Sequence, residues 1–101
     1  ADRFLFYGFL PQKRGKKRKV LREFLSFPYP MVFFESPRKL IDTLGCIREE
    51  FGNRPAVVVK EMTKIHETVM RGLLEDVIDG VSAEEPKGEY LIIVGGKGRP
   101  E

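Results

Sequence analysis

Apolar residues fall into short runs divided by polar turns, and the spacing within each run predicts its element. Phe4-Leu5-Phe6-Tyr7, closed by Gly8, reads as a buried strand. Phe9-Leu10-Pro11 turns the chain into a basic stretch from Lys13 to Lys19. That stretch leads into an amphipathic helix marked by Val20, Leu21, Phe24 and Leu25, which Pro28 and Pro30 end. Met31 to Phe34 is a second strand. It stops at Glu35-Ser36-Pro37, where Ser36 suits an N-cap and Pro37 a first helical residue. Leu40, Leu44, Ile47 and Phe51 then share one helix face, and Gly52 closes that helix.

Ala56 to Val59 is the third strand. Its valines are apolar on both faces, which predicts a central, doubly covered strand. Lys60 to Lys64 is a polar loop. Thr68-Val69-Met70 is a short strand ending at Gly72, and Leu73, Leu74, Val77 and Ile78 mark a short helix stopped by Gly80. An acidic loop from Val81 to Gly88 precedes the last strand, Tyr90 to Val94, and Gly95-Gly96 begins a loose tail. The order β-α-β-α-β-β-α-β predicts a single α/β domain, a mixed sheet of roughly five strands covered by three helices. It spans residues 1–96, with 97–101 a tail or linker.

Composition narrows this picture. The 101 residues suit one domain, and 42% hydrophobic with 33% charged residues suits a globular fold rather than disorder. Cys46 is the only cysteine, so no intrachain disulfide and no cysteine zinc site forms; it reads as a small core residue, and a reducing cytoplasm fits. No apolar run approaches the roughly 20 residues of a membrane span. Ala1-Asp2-Arg3 has no signal-peptide layout and reads as a cut upstream of a larger chain. The net charge of +3 is uneven: residues 1–50 hold 11 basic and 6 acidic groups, whereas residues 51–101 hold 7 and 9. Any polyanion-binding surface therefore belongs to the first half.

Three stretches could carry chemistry. Lys13, Arg14, Lys16, Lys17, Arg18 and Lys19, with Arg22 one turn on, crowd a helix start, where the macrodipole disfavours cations. Phosphate binding would offset that cost through counterion release; a solvated face is the plainer alternative. Glu35-Ser36-Pro37 sits where a strand enters a helix, a usual place for ligands of α/β sheets, although an ordinary helix start reads the same way. Lys60-Glu61-Met62-Thr63-Lys64, followed by His66-Glu67, leaves the end of the third strand. One histidine excludes a multi-histidine metal site, and no metal is expected.

Together, Phe6-Tyr7-Gly8-Phe9-Leu10-Pro11, the basic run, Phe34-Glu35-Ser36-Pro37-Arg38-Lys39-Leu40, Lys60 to Lys64 with Glu67, Arg71-Gly72 and Pro86-Lys87-Gly88-Glu89 form a pattern in order and at matching spacing. The chain from Arg3 to Gly96 resembles the C-terminal domain of the ribosomal RNA small-subunit methyltransferase I family, of the tetrapyrrole methylase fold class. Arg38 stands where that family often has histidine, and Lys60 where it often has arginine.

The resemblance implies a two-domain enzyme with S-adenosylmethionine in the cleft between the domains, acting as a homodimer. It implies 2′-O-methylation of a cytidine ribose in small-subunit ribosomal RNA. Its donor contacts on this chain would be Glu35-Ser36 and Met62-Thr63. The glycine-rich donor loops belong to the N-terminal domain and have no counterpart here, so this chain alone is expected to be inactive. Lys64 and Glu67 lie closest in sequence to the cleft among groups able to take a proton, and Lys13, Arg14, Lys16, Lys17, Arg18 and Lys19 would grip the RNA. Two alternatives stay open: an RNA-binding module with no chemistry of its own, and a tetrapyrrole methyltransferase domain.

Overall fold

The computed structural model describes residues 3–61, 67–82 and 88–96. Its elements are β1 (Leu5–Phe9), α1 (Arg14–Glu23), β2 (Met31–Glu35), a 3-10 turn (Pro37–Lys39), α2 (Leu40–Phe51), β3 (Pro55–Glu61), β4 (Glu67–Leu73), α3 (Leu74–Ser82) and β5 (Glu89–Val94). They build a five-stranded mixed sheet in the order β1-β2-β5-β3-β4. β1 and β2 are parallel, and the other three pairings are antiparallel. The element order and the α/β class are those the hydrophobic pattern predicts.

Period-two alternation decides which side chains enter the core. Met31 and Phe33 of β2, Ile92 and Val94 of β5, and Ala56 and Val58 of β3 are buried on one face. Leu21 of α1, Leu40, Leu44, Cys46 and Ile47 of α2, and Leu74 and Val77 of α3 complete the same cluster. α2 ends at Gly52, whose φ of 88° is a left-handed conformation that favours glycine there.

The opposite sheet face differs from expectation. β3 is apolar on both faces, yet the core helices pack on one face and leave Phe34, Val69 and Leu73 exposed on the other. An apolar run reports that burial is favourable; it does not report which element supplies the cover.

β1 also differs: it is an edge strand, and Phe4, Phe6 and Phe9 are 62%, 56% and 61% exposed. Gly8, φ 92°, lies inside the strand rather than closing it, and the register with β2 slips between Phe6 and Gly8. This bulge lets two residues three apart share one face, so the rings of Phe6 and Phe9 both sit on Phe34, at 5.3 and 5.6 Å.

Several boundaries move as well: β3 takes in Lys60 and Glu61, β4 runs past Gly72 to Leu73, and most of the basic run lies inside α1, which ends at Glu23. α3 runs past Gly80 to Ser82, because the buried Val81 extends its apolar stripe. Gly95-Gly96 is docked rather than loose. The Gly95 amide donates to Pro55 O at 2.9 Å, and a Cβ on Gly96 would lie 2.3 Å from the carbonyl carbon of Pro28.

Candidate functional site

β1, β2 and β3 run in the same direction, so their carboxyl ends share one edge of the sheet. Lys13 and the start of α1 follow β1 at that edge. Glu35 ends β2 there, in one register row with Tyr90 and Lys60. Glu61 ends β3, and Glu67 opens β4 opposite it. One strand, β5, separates β2 from β3, so the two chain exits lie about 10 Å apart. Ligands of open α/β sheets collect at such an edge. The expected donor contacts Met62 and Thr63, the candidate base Lys64 and His66 lie outside the described residues. Glu67 is placed by its backbone alone.

The β2 turn is held from within. Glu35 is 4% exposed, and its carboxylate faces the domain: Oε1 accepts from Thr43 Oγ1 at 2.6 Å, and Oε2 accepts from the Ser36 amide at 3.0 Å. Ser36 occupies the N-cap position of the 3-10 turn, but its side chain makes no capping bond, contrary to the sequence expectation. Helix entry is instead braced by the Glu35 carboxylate. The group left for a ligand is the Ser36 hydroxyl, with Arg38 and Lys39 exposed beside it.

The basic run divides. Arg14 pairs with Asp42 at 2.5 Å, Arg18 with Glu50 at 2.6 Å and Glu49 at 3.3 Å, and Arg22 with Glu50 at 2.9 Å. α2 thus presents its acids to the cations of α1, which relieves the repulsion among them. The bonds from Arg18 and Arg22 hold the Glu50 carboxyl below its ordinary range. Lys17 is buried, 1% exposed, with Nζ 2.8 Å from Thr43 Oγ1 and 3.5 Å from Asp42 Oδ2. Burial takes its ammonium out of reach of a polyanion. Lys13, Lys16 and Lys19 are exposed and make no ion pair among the described residues.

Sequence reasoning passed over Thr43. Its signal was a hydroxyl between Leu40, Leu44 and Ile47 on an apolar helix face. It also passed over Arg54, whose guanidinium donates to the carbonyls of Phe51, Gly95 and Leu25 and lies 4.4 Å from the Phe51 ring centre. Arg54 is structural: it ties the end of α2 to the end of β5. Among the described residues no group of three metal-ligating side chains gathers, and no helix is long and apolar enough to cross a membrane.

No protein-family model matches the chain. Curated proteins do. Ribosomal RNA small subunit methyltransferase I of Rickettsia prowazekii is 36% identical over 96 residues, covering 95% of this chain and 34% of its own length. That of Thermotoga maritima is 38% identical, covering 96% and 43%, and that of Mesorhizobium japonicum 40% identical, covering 94% and 33%. The chain therefore spans about a third to two fifths of these relatives. Among solved structures, cobalt precorrin-4 methyltransferase superposes with a TM-score of 0.66 at 17% identity, covering 94% of this chain and 41% of its own. Uroporphyrin-III C-methyl transferase from Thermus thermophilus, complexed with S-adenosyl homocysteine, superposes with 0.58 at 19% identity, covering 96% and 42%. These likenesses establish the tetrapyrrole methylase fold. Over nearly its whole length the chain is homologous to a domain-sized segment of the ribosomal RNA small subunit methyltransferase I proteins.

Proposed function

We propose that this chain is the C-terminal half of an S-adenosylmethionine-dependent methyltransferase that modifies small-subunit ribosomal RNA, in cooperation with an N-terminal domain. The observation that carries it is the shared sheet edge, where the start of α1, the Glu35-Ser36 turn and the end of β3 all emerge. The names of the curated relatives supply the substrate class. The S-adenosyl homocysteine bound to one fold neighbour is the demethylated form of the proposed donor. The tetrapyrrole alternative has fold likeness alone behind it.

The residues present fit half of a donor site. Ser36 offers a hydroxyl free of capping duty, and Glu35 shapes the turn instead of touching the ligand. The loop containing Met62 and Thr63 would complete the protein's side of the contact. When bound, the donor supplies an electrophilic methyl group.

The chain's own task is positioning, the main source of rate for a poor nucleophile such as a ribose 2′-hydroxyl. Lys13, Lys16 and Lys19 would hold the phosphate backbone, and Lys64 or Glu67 would take the proton from the attacking hydroxyl. A cytidine target, a homodimeric assembly and a cytoplasmic location belong to the same proposal.

Calorimetric titration of S-adenosylmethionine into the full-length protein, with Ser36→Ala beside the wild type, tests the donor site. The variant should bind about tenfold more weakly at an unchanged melting temperature, the effect of one hydrogen bond lost. Equal affinity would remove Ser36 from the site. If the wild type shows no binding, the enzyme reading falls and an RNA-binding module becomes the better account.

A further inference from the structure

Three polar side chains from three elements lie buried together: Lys17 of α1, Glu35 of β2 and Thr43 of α2, the last with no exposed surface. Their donor and acceptor roles leave no choice. An ammonium only donates, so the 2.8 Å contact from Lys17 Nζ makes the Thr43 hydroxyl an acceptor. The single hydroxyl proton then goes to Glu35 Oε1, 2.6 Å away. The second Glu35 oxygen accepts from the Ser36 amide.

Enclosing a lysine and a carboxylate carries a large desolvation penalty, and apolar residues of similar volume would fill the space with less. Apolar residues would not hold the Ser36 amide. This chain of bonds fixes the Ser36 amide at the turn, and the Ser36 hydroxyl makes no capping bond.

We propose that Thr43, backed by Lys17, is a positioning residue for the methyl-donor turn: through Glu35 it sets the backbone on which Ser36 meets the donor. This rests on the donor reading above. It also assigns Lys17, alone among the lysines of the basic run, to the donor side of the enzyme.

The test compares Thr43→Val and Thr43→Ser in the full-length protein. Donor affinity is read by calorimetry, stability by melting temperature, and affinity for a small-subunit ribosomal RNA fragment by fluorescence anisotropy. Thr43→Val keeps the shape and deletes the relay; it should weaken donor binding about tenfold, the cost of one charge-assisted bond. Thr43→Ser restores the hydroxyl and should bind donor as the wild type does. RNA affinity should be the same in all three, because Lys13, Lys16 and Lys19 are untouched.

A lowered melting temperature with unchanged donor affinity in Thr43→Val would overturn the proposal, as would Thr43→Ser binding no better than Thr43→Val. Should Thr43→Val fail to fold, Lys17→Met, which keeps the buried stem, is held to the same outcome. Failure of the wild type to bind donor would sink the donor reading itself. Binding by the wild type and equal binding by the variants would sink only the role of the relay.

Discussion

At the scale of single residues, the polar groups of this domain matter by where their partners lie. Arg54 is the clearest case. Its fork reaches three backbone carbonyls from three parts of the chain, and burial pushes its pKa down, so the bonds have to offset a desolvation cost. A lysine carries the same charge but not the fork. Arg54→Lys should destabilise the domain by about 1–3 kcal/mol through the carbonyls left unpaired, seen as a lower denaturant midpoint at unchanged slope. Little of this was legible in the sequence. Arg54 looks like one more surface cation between Asn53 and Pro55, because its acceptors are main-chain atoms that no residue type announces. Glu35 and Ser36 were legible as a strand-end turn. That the carboxylate turns inward was not, since it depends on the hydroxyl of Thr43, eight residues on in α2.

At the scale of elements, period-two and helical spacing identified all five strands and three helices. What they missed follows from pairing. A bulge at Gly8 alters which side chains share a face, and nothing in Phe6-Tyr7-Gly8-Phe9 distinguishes an edge strand from an inner one. The charge pattern of α1 was visible, but its answer in Asp42, Glu49 and Glu50 lies on a different helix. That docking should respond to acid. The Glu50 carboxyl is held below its ordinary value of 4.5 by Arg18 and Arg22. A lowered folded-state pKa adds stability that is complete above the unfolded value and is lost as pH falls through the folded one. Urea midpoints of the wild type should therefore drop faster than those of Glu50→Gln as pH goes below about 4.5, the two curves converging in strong acid. Parallel curves would show that the pairs contribute nothing to α1–α2 docking.

At the scale of the whole molecule, the domain has a helix-covered sheet face and an apolar one exposing Phe34, Val69 and Leu73 beside the phenylalanines of β1. The α/β class was readable from the sequence, because it follows from element order alone. The exposure of the second face was not, because it depends on what packs where. The ion pairs between α1 and α2 have one more effect at this scale. α2 acts as a built-in counterion layer, neutralising part of the cationic helix before any polyanion arrives. Under the proposed RNA reading, fewer free ions would then be displaced on binding. Six cations (Lys13, Arg14, Lys16, Arg18, Lys19 and Arg22) on a single-stranded target would give a log–log salt slope near −4, whereas Lys13, Lys16 and Lys19 alone give about −2. Titrating RNA affinity against salt, a slope close to −4 would mean that incoming phosphates displace Asp42, Glu49 and Glu50, so that binding RNA also loosens α1 from α2.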